Sequence, residues 1–363
     1  MTQRVAIIHD WLNGMRGGEK VLEEILKLYP DADLFTLFYE PEKVSPLIRS
    51  KRVFASALNR RSFIRRHYQP FLPWFPRHIE AFDLREYPLV ISSSHCVAKG
   101  VIPAPDARHV SYIHSPMRYA WDQYYAYFAG AGYWRRKIIQ REISRLRVWD
   151  VCSAARVDDF IANSDFVRQR IEKYYRRKAT VIHPPVDVDF FRPTAKPSRD
   201  YLLLVAALVP YKNIGLVIEA CRQLGERLVI VGRGPEERKL QRAAGPGCEF
   251  HRALSNETLR ELYQNAAAFV FAGVEDFGIA LAESQACATP VVALDRGGAR
   301  DIVKDGVSGV LFGEASVAAL KKAIQDCRRL NVEPAAVREA SLRFSADRFR
   351  SQFERFVNKK NDD

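Results

Sequence analysis

The sequence predicts an α/β protein made of two doubly wound, parallel-sheet domains of the Rossmann-like kind, and three observations carry that reading. Apolar runs of strand length alternate with stretches of helical period in both halves of the chain. An aperiodic stretch with four prolines, HPPVDVDFFRPTAKPSRD at 183–200, interrupts the alternation. The length, 363 residues, is long for one hydrophobic core and comfortable for two. The boundaries that follow are a first domain at 1–183, a linker at 184–200, a second domain at 201–345, and a closing helix and tail at 346–363.

In order, residues 5–8 form a short apolar strand ending at His9-Asp10, followed by the glycine loop NGMRGGEK and the helical stretch VLEEILKLY. Further strands are predicted at 34–38, 89–92 and 109–113, a basic helix at 135–148, and a strand closing at 162. Beyond the linker come a strand at 201–207, a helix at 214–224, a strand at 227–231, helices at 236–243 and 256–266, and strands at 268–272 and 290–293. Such alternation demands parallel pairing with right-handed crossovers. At the end, Phe349, Phe353 and Val357 share one stripe of an amphipathic helix.

Composition narrows the function classes. Apolar residues make up 47% and charged residues 27%, the balance of an ordinary folded domain. The apolar run at the N-terminus is broken by His9 and Asp10, too early for a secretory signal, and no window approaches the length of a spanning helix. The expected location is cytoplasmic. Six scattered cysteines without a C-x-x-C pair argue against zinc, redox chemistry and a disulfide framework. Of the net charge of +13, residues 1–190 carry +9, with 30 basic against 21 acidic side chains. Nine of those bases lie between Arg49 and Arg85, interleaved with Phe63, Tyr68, Phe71, Trp74 and Phe75. A basic stretch of this kind is a solvated charged face or suits nucleic acid or an anionic membrane face, and of the two partners the membrane is the expected one.

The chemistry concentrates in AFVFAGVEDFGIALAESQACATPVVALDRGG, residues 268–298. A buried strand runs into Gly273, Glu275 and Gly278 and then into a helix carrying Glu283. In a doubly wound sheet the ligand lies beyond the carboxyl ends of the strands, so Glu275 belongs to the ligand crevice. The free N–H groups of the following helix suit a diphosphate, and Gly278 permits close approach. Glu283 lies far enough along to accept hydrogen bonds from vicinal hydroxyls such as those of a ribose. Two D-x-D strings, at 31–33 and 187–189, read as turn residues rather than as a metal site. The run VGRGPE lacks the spacing of a dinucleotide fingerprint, which disfavours hydride chemistry.

The run EDFGIALAE after an apolar strand resembles retaining nucleotide-sugar transferases of glycosyltransferase family 4, whose two-domain fold is called GT-B. The resemblance extends to HDWLNGMRGGEKVLE, VISSSHCVAKGVIP, HSPMRYAWDQYYAYF, VWDVCSAARVDDFIANS, VIHPPVDVDFF and LVPYKNI, and looks most like bacterial mannosyltransferases of O-antigen or exopolysaccharide assembly. It implies two Rossmann-like domains facing a cleft, with the C-terminal helix packing back toward the first. It also implies that Glu275 holds donor-sugar hydroxyls, that the Phe277-Gly278-Ile279 backbone meets the diphosphate, that Glu283 meets the ribose, and that Lys212 neutralises the departing diphosphate. Gly17 and Gly18 would form a loop whose backbone approaches a phosphate or the sugar, and His114 would lie near the donor sugar.

Where many members carry an arginine just before the L-V-P-Y-K run, this chain has Ala207, so either Lys212 and the helix dipole suffice for the phosphates or another base, Arg118 or Arg16, supplies the missing charge. No residue stands out as a general base, as expected where the departing phosphate takes the acceptor proton. No metal and no cofactor are implied. The expected activity is transfer of a hexosyl group, mannose from GDP-mannose, to a lipid-linked glycan, at the inner membrane face and without nucleic acid. The residues leave open a UDP- or ADP-sugar donor, an epimerase on the same fold, and a nucleotide-binding subunit without catalysis.

Overall fold

The computed structural model describes residues 4–128, 130–252, 254–330 and 332–359. The chain divides into two compact units, residues 1–183 with 349–363, and residues 184–348.

The described residues of the first unit form a sheet of seven strands: β1 Val5–His9, β2 Asp33–Thr36, β3 Val53–Ala55, β4 Leu89–Ser94, β5 Arg108–Ile113, β6 Asp159–Ala162 and β7 Thr180–Val181. Their order is 3-2-1-4-5-6-7 and every pairing is parallel. All five residues of β1 and all six of β4 are buried, as expected of strands covered on both faces. The crossovers run outward from β1 to β3 and then return to β4, which makes the gap between the carboxyl ends of β1 and β4 the topological switch point. On one face, Val21, Leu22, Ile25 and Leu26 of the helix Gly17–Leu28 pack with Ile7, Ile91 and Tyr112.

The closing helix Ala346–Asn358 sets Phe349, Phe353 and Val357 into that same cluster. Arg350 pairs with Glu24, and the Arg108 guanidinium donates to the carbonyls of Val357 and Lys359, satisfying groups that a helix end leaves open. The chain's last helix thus belongs to its first unit, as the GT-B resemblance implies. Within the other face, Lys99 and Asp150 are fully buried with Nζ 2.7 Å from Oδ1, and Trp121 and Tyr175 donate to the second carboxylate oxygen.

The second unit has six described strands: β8 Leu202–Val205, β9 Leu228–Val231, β10 Cys248–His251, β11 Ala268–Phe271, β12 Val291–Leu294 and β13 Gly309–Phe312. They run in the order 10-9-8-11-12-13, again all parallel. The switch point here lies between β8 and β11.

Three expectations change. Residues 184–200 are more than a spacer, because Val186, Val188 and Phe191 sit in the core of the second unit and the Val186 N–H donates to the Phe344 carbonyl at 2.8 Å. Asp33 is no turn residue. It opens β2, is buried, and accepts from Arg52 and from the Tyr87 hydroxyl, both at 2.5 Å. Burial raises its pKa, but those hydrogen bonds outweigh burial and hold the carboxyl below its ordinary range. Gly17 and Gly18 open the helix Gly17–Leu28 rather than forming a loop; the Arg16 N–H ahead of them donates to Glu19 Oε2 at 2.9 Å. Asp187, by contrast, does make a turn, its Oδ1 accepting the Phe190 N–H at 2.9 Å.

Candidate functional site

Each unit gathers polar side chains at its own switch point. In the second, the chain leaves β8 and enters a short turn, Pro210–Lys212, while β11 runs into the 273–278 segment. Lys212 and Glu275, 63 positions apart, meet there with Nζ 2.6 Å from Oε1. Asn213 donates to the Ala272 carbonyl at 3.1 Å and fastens the turn to the end of β11. A Cβ on Gly273 would stand 2.8 Å from Lys212 Cα, so a side chain there would push the lysine away from the glutamate.

Beyond Glu275, Phe277 turns its ring into the core against Phe344, at 5.2 Å between centroids, leaving its backbone to border the segment. Gly278 follows at φ +100° and caps the helix Ile279–Ala286, whose first N–H groups carry the positive end of the helix dipole. Glu283 is buried in that helix and accepts the Tyr263 hydroxyl at 3.1 Å. Burial first, and then the Glu283 carboxylate, push the Tyr263 hydroxyl well above its usual range. The cationic Nζ, the carboxylate and a glycine-capped helix start, side by side, suit a ligand with both hydroxyls and phosphates.

Two residues carry this geometry without having been singled out from the sequence. The Gly298 N–H donates to the Glu275 carbonyl at 2.9 Å, and a Cβ on Gly297 or Gly298 would stand 2.3 Å from the Glu275 oxygen or 2.2 Å from the Phe277 oxygen. The pair clamps the 275–277 backbone. Its signal was the G-G after β12, at the carboxyl end of a parallel strand.

In the first unit, His9 ends β1, Ser93 stands beside it on β4, and His114 follows β5. The Ser93 hydroxyl lies 3.1 Å from His9 Nδ1 and 2.8 Å from His114 Nε2. Asp10, fully buried, accepts four backbone N–H groups from residues 95–98 at 2.6 to 2.9 Å and lies 3.1 Å from His95 Nδ1. The rings of His9, His95 and His114 stand 6.3 to 6.4 Å apart, and Gly18 passes over His9 and His114, where a Cβ would lie 3.6 Å from each ring. Burial, with His9 and His95 near, holds His114 well below the usual imidazole range.

Of these residues only Gly17, Gly18 and His114 were candidates from sequence; His9, Asp10, Glu19, Ser93 and His95 were not. The available signal was polar residues ending otherwise apolar strands. Ala207 is exposed; Arg16 is exposed at its helix start, and Arg118 donates to the Ser115 hydroxyl at 3.3 Å. Among the described residues no group of three or more His, Cys, Asp or Glu is placed to hold a metal ion.

Known proteins supply the comparison. The family described as glycosyltransferase family 4 matches residues 15–190, and the one described as glycosyl transferases group 1 matches residues 186–341. A D-inositol 3-phosphate glycosyltransferase of Geodermatophilus obscurus is 37% identical over 190 residues, covering 43% of this chain and 42% of that protein. The chain spans about half the length of the curated relatives it matches. Among solved structures, a sucrose-phosphate synthase from Thermosynechococcus elongatus aligns with a TM-score of 0.74 at 19% identity, covering 98% of both chains. Anabaena HepE in complex with UDP-glucose aligns at 0.71 and 18%, covering 98% of this chain and all of its own. These likenesses show the GT-B fold.

Proposed function

We propose that this chain, which belongs to the glycosyltransferases through matches running together over residues 15–341, is a retaining, metal-independent hexosyltransferase that moves mannose from GDP-mannose to a growing, lipid-linked glycan. The observation that carries the reading is the Lys212–Glu275 pair at the switch point of the second unit, beside the glycine-capped start of the helix Ile279–Ala286. On this reading Glu275 holds hydroxyls of the donor sugar, the Phe277-Gly278-Ile279 backbone meets the diphosphate, and Glu283 meets the ribose.

As the bond between the anomeric carbon and the phosphate oxygen breaks, negative charge grows on the diphosphate. Lys212 stabilises that charge, an interaction stronger in the transition state than in the ground state. The acceptor hydroxyl forms the new bond on the same face and passes its proton to the departing phosphate oxygen. The first unit contributes His114 to the donor sugar, with Gly17 and Gly18 beside it, by the family resemblance.

The same reading seats the chain peripherally on an anionic, cytoplasmic membrane face. Its support is a helix, Tyr133–Ala154, that exposes Tyr133, Trp134 and Ile138 among Arg135, Arg136, Lys137 and Arg141, together with exposed Phe63 and Trp74. Among the described residues no helix is long and apolar enough to cross a membrane. A second reading, a UDP-sugar donor and an inositol phosphate acceptor, is favoured by the names of the relative from G. obscurus and of the HepE complex.

The test is thermal stabilisation of the chain by GDP, UDP, ADP, GDP-mannose and UDP-sugars without added metal. A ligand at 100 times its Kd stabilises the folded state by about 2.7 kcal/mol. Stabilisation by GDP and GDP-mannose alone, lost in Glu283→Ala, supports the reading. Stabilisation by UDP compounds selects the second, and no shift with any nucleotide overturns both.

A further inference from the structure

The first unit places four polar groups in a row across neighbouring elements: Glu19 on the helix Gly17–Leu28, His9 at the end of β1, Ser93 on β4 and His114 after β5. Register makes the row, because His9 and Ser93 are direct partners in the β1–β4 ladder. The His114 N–H then donates to the Ser94 carbonyl at 2.8 Å, which brings its ring alongside. Ser93 and His9 are fully buried.

A hydroxyl has one proton and two lone pairs, and a neutral imidazole has one N–H and one bare nitrogen. The Ser93 oxygen stands between His9 Nδ1 and His114 Nε2, so it donates to one ring and accepts from the other. Accepting from both would leave its own proton without a partner in the core, at about 1–3 kcal/mol.

We infer that Ser93 couples the tautomer of His114 to the proton on His9, so that Ser93, His9 and Glu19 act as positioning residues that decide whether His114 Nδ1 presents an acceptor or a donor. This rests on the reading of His114 as a donor-sugar contact.

In the neutral row His9 carries its proton on Nε2, where no hydrogen bond is made but the Glu19 carboxylate, with Oε1 3.9 Å away, attracts it. The bare Nδ1 accepts the Ser93 proton, Ser93 accepts from His114 Nε2–H, and His114 Nδ1 is an acceptor. A proton arriving at His114 Nδ1 reverses the row. The Nε2 proton passes to Ser93, the Ser93 proton passes to His9 Nδ1, and the charge rests on His9 beside the Glu19 carboxylate. Each atom keeps its valence and one proton is gained in all. His114, now carrying Nδ1–H, is a donor and remains neutral.

Burial opposes charge on Glu19, but the attraction of His9, 3.9 Å away, outweighs it and holds that carboxyl below its ordinary range, which keeps a counter-charge ready. The groups facing His9 are Glu19 from the helix, His95 from the turn after β4 and His114 after β5; Asp10 and Arg118 act on His95.

The experiment is imidazole nitrogen NMR of the full chain labelled with 15N-histidine, across a pH titration, in the parent and in Ser93→Ala, Ser93→Thr and Glu19→Gln. In the parent, His9 should become doubly protonated while the protonated nitrogen of His114 moves from Nε2 to Nδ1 at the same midpoint. In Ser93→Ala the His114 change should uncouple from His9, and Ser93→Thr should restore it. In Glu19→Gln both midpoints should fall together by the same amount. A His114 tautomer that stays constant through the His9 titration, or that still follows it in Ser93→Ala, overturns the proposal. If Ser93→Ala fails to fold, separate movement of the two midpoints in Glu19→Gln overturns it instead. The readout needs no sugar donor, so it stands or falls apart from the transfer reaction.

Discussion

Removing the Lys212 ammonium should weaken nucleoside diphosphate binding by one to two orders of magnitude. The lysine is one of two oppositely charged groups 2.6 Å apart, with side chains 11% and 19% exposed. Two unit charges at 4 Å interact by about 4 kcal/mol at an effective dielectric of 20, and solvent screening cuts the net contribution of a pair that is still partly exposed well below the bare Coulomb value. A hydrogen bond to a charged group contributes about 1.5–3 kcal/mol net. That range corresponds to roughly 10- to 150-fold in Kd. Lys212→Ala also leaves the Glu275 carboxylate facing a diphosphate with no cation between them. The double substitution Lys212→Ala, Glu275→Gln should therefore bind more tightly than Lys212→Ala alone, giving a coupling of about 0.5–3 kcal/mol. Isothermal titration with the diphosphate that stabilises the parent reads all four corners of the cycle, and thermal melts confirm that each variant is folded. A Kd within threefold of the parent in folded Lys212→Ala, or a double variant weaker than the single one by the full additive amount, refutes the assignment.

Gly298→Ala places a Cβ 2.2 Å from the Phe277 oxygen, so nucleotide binding should fall at least tenfold while far-UV circular dichroism stays unchanged. Phe353→Ala, at a fully buried position of the closing helix, should cost about 3–5 kcal/mol in denaturant unfolding. Burial, beside Ser92, pushes His109 from its usual 6.5 down to about 3. Because the unfolded chain takes up that proton first, the contribution of His109 is complete above pH 6.5 and is lost at up to about 1.4 kcal/mol per pH unit as pH falls toward 3; an unchanged slope in His109→Asn would remove this cause. Replacing Trp134, Arg135, Arg136 and Lys137 with alanine should abolish binding to vesicles containing anionic lipid while leaving neutral vesicles unaffected, and retention through a high-salt wash would contradict the electrostatic part of that contact.

Much of the fold was legible because buried parallel strands are apolar on both faces. Residues such as VAIIH and AFVF stand out without any partner to compare. The short strands β3, β7, β10 and β13 were not legible. β3 and β7 are three and two residues long, too short to stand out, β10, CEFH, is half polar, and β13, GVLF, opens on a glycine that reads as a turn. Asp33 misled for a related reason. Local chemistry makes an aspartate a turn residue, while three distant partners, Arg4, Arg52 and Tyr87, make it a strand residue.

For the site, sequence alone determined the chemical types available. A glutamate and a glycine-capped helix follow one strand, a lysine follows another, and glycines stand wherever a backbone must approach closely. These are local facts, set by periodicity and by the conformations each residue allows. Only the tertiary structure decided which of them meet. Lys212 and Glu275 are neighbours because β8 and β11 flank the switch point of their sheet, and His9, Ser93 and His114 form a row because β1, β4 and β5 pair side by side. Strand order and register are properties of the whole sheet, fixed by how every crossover packs, and so no window of sequence contains them.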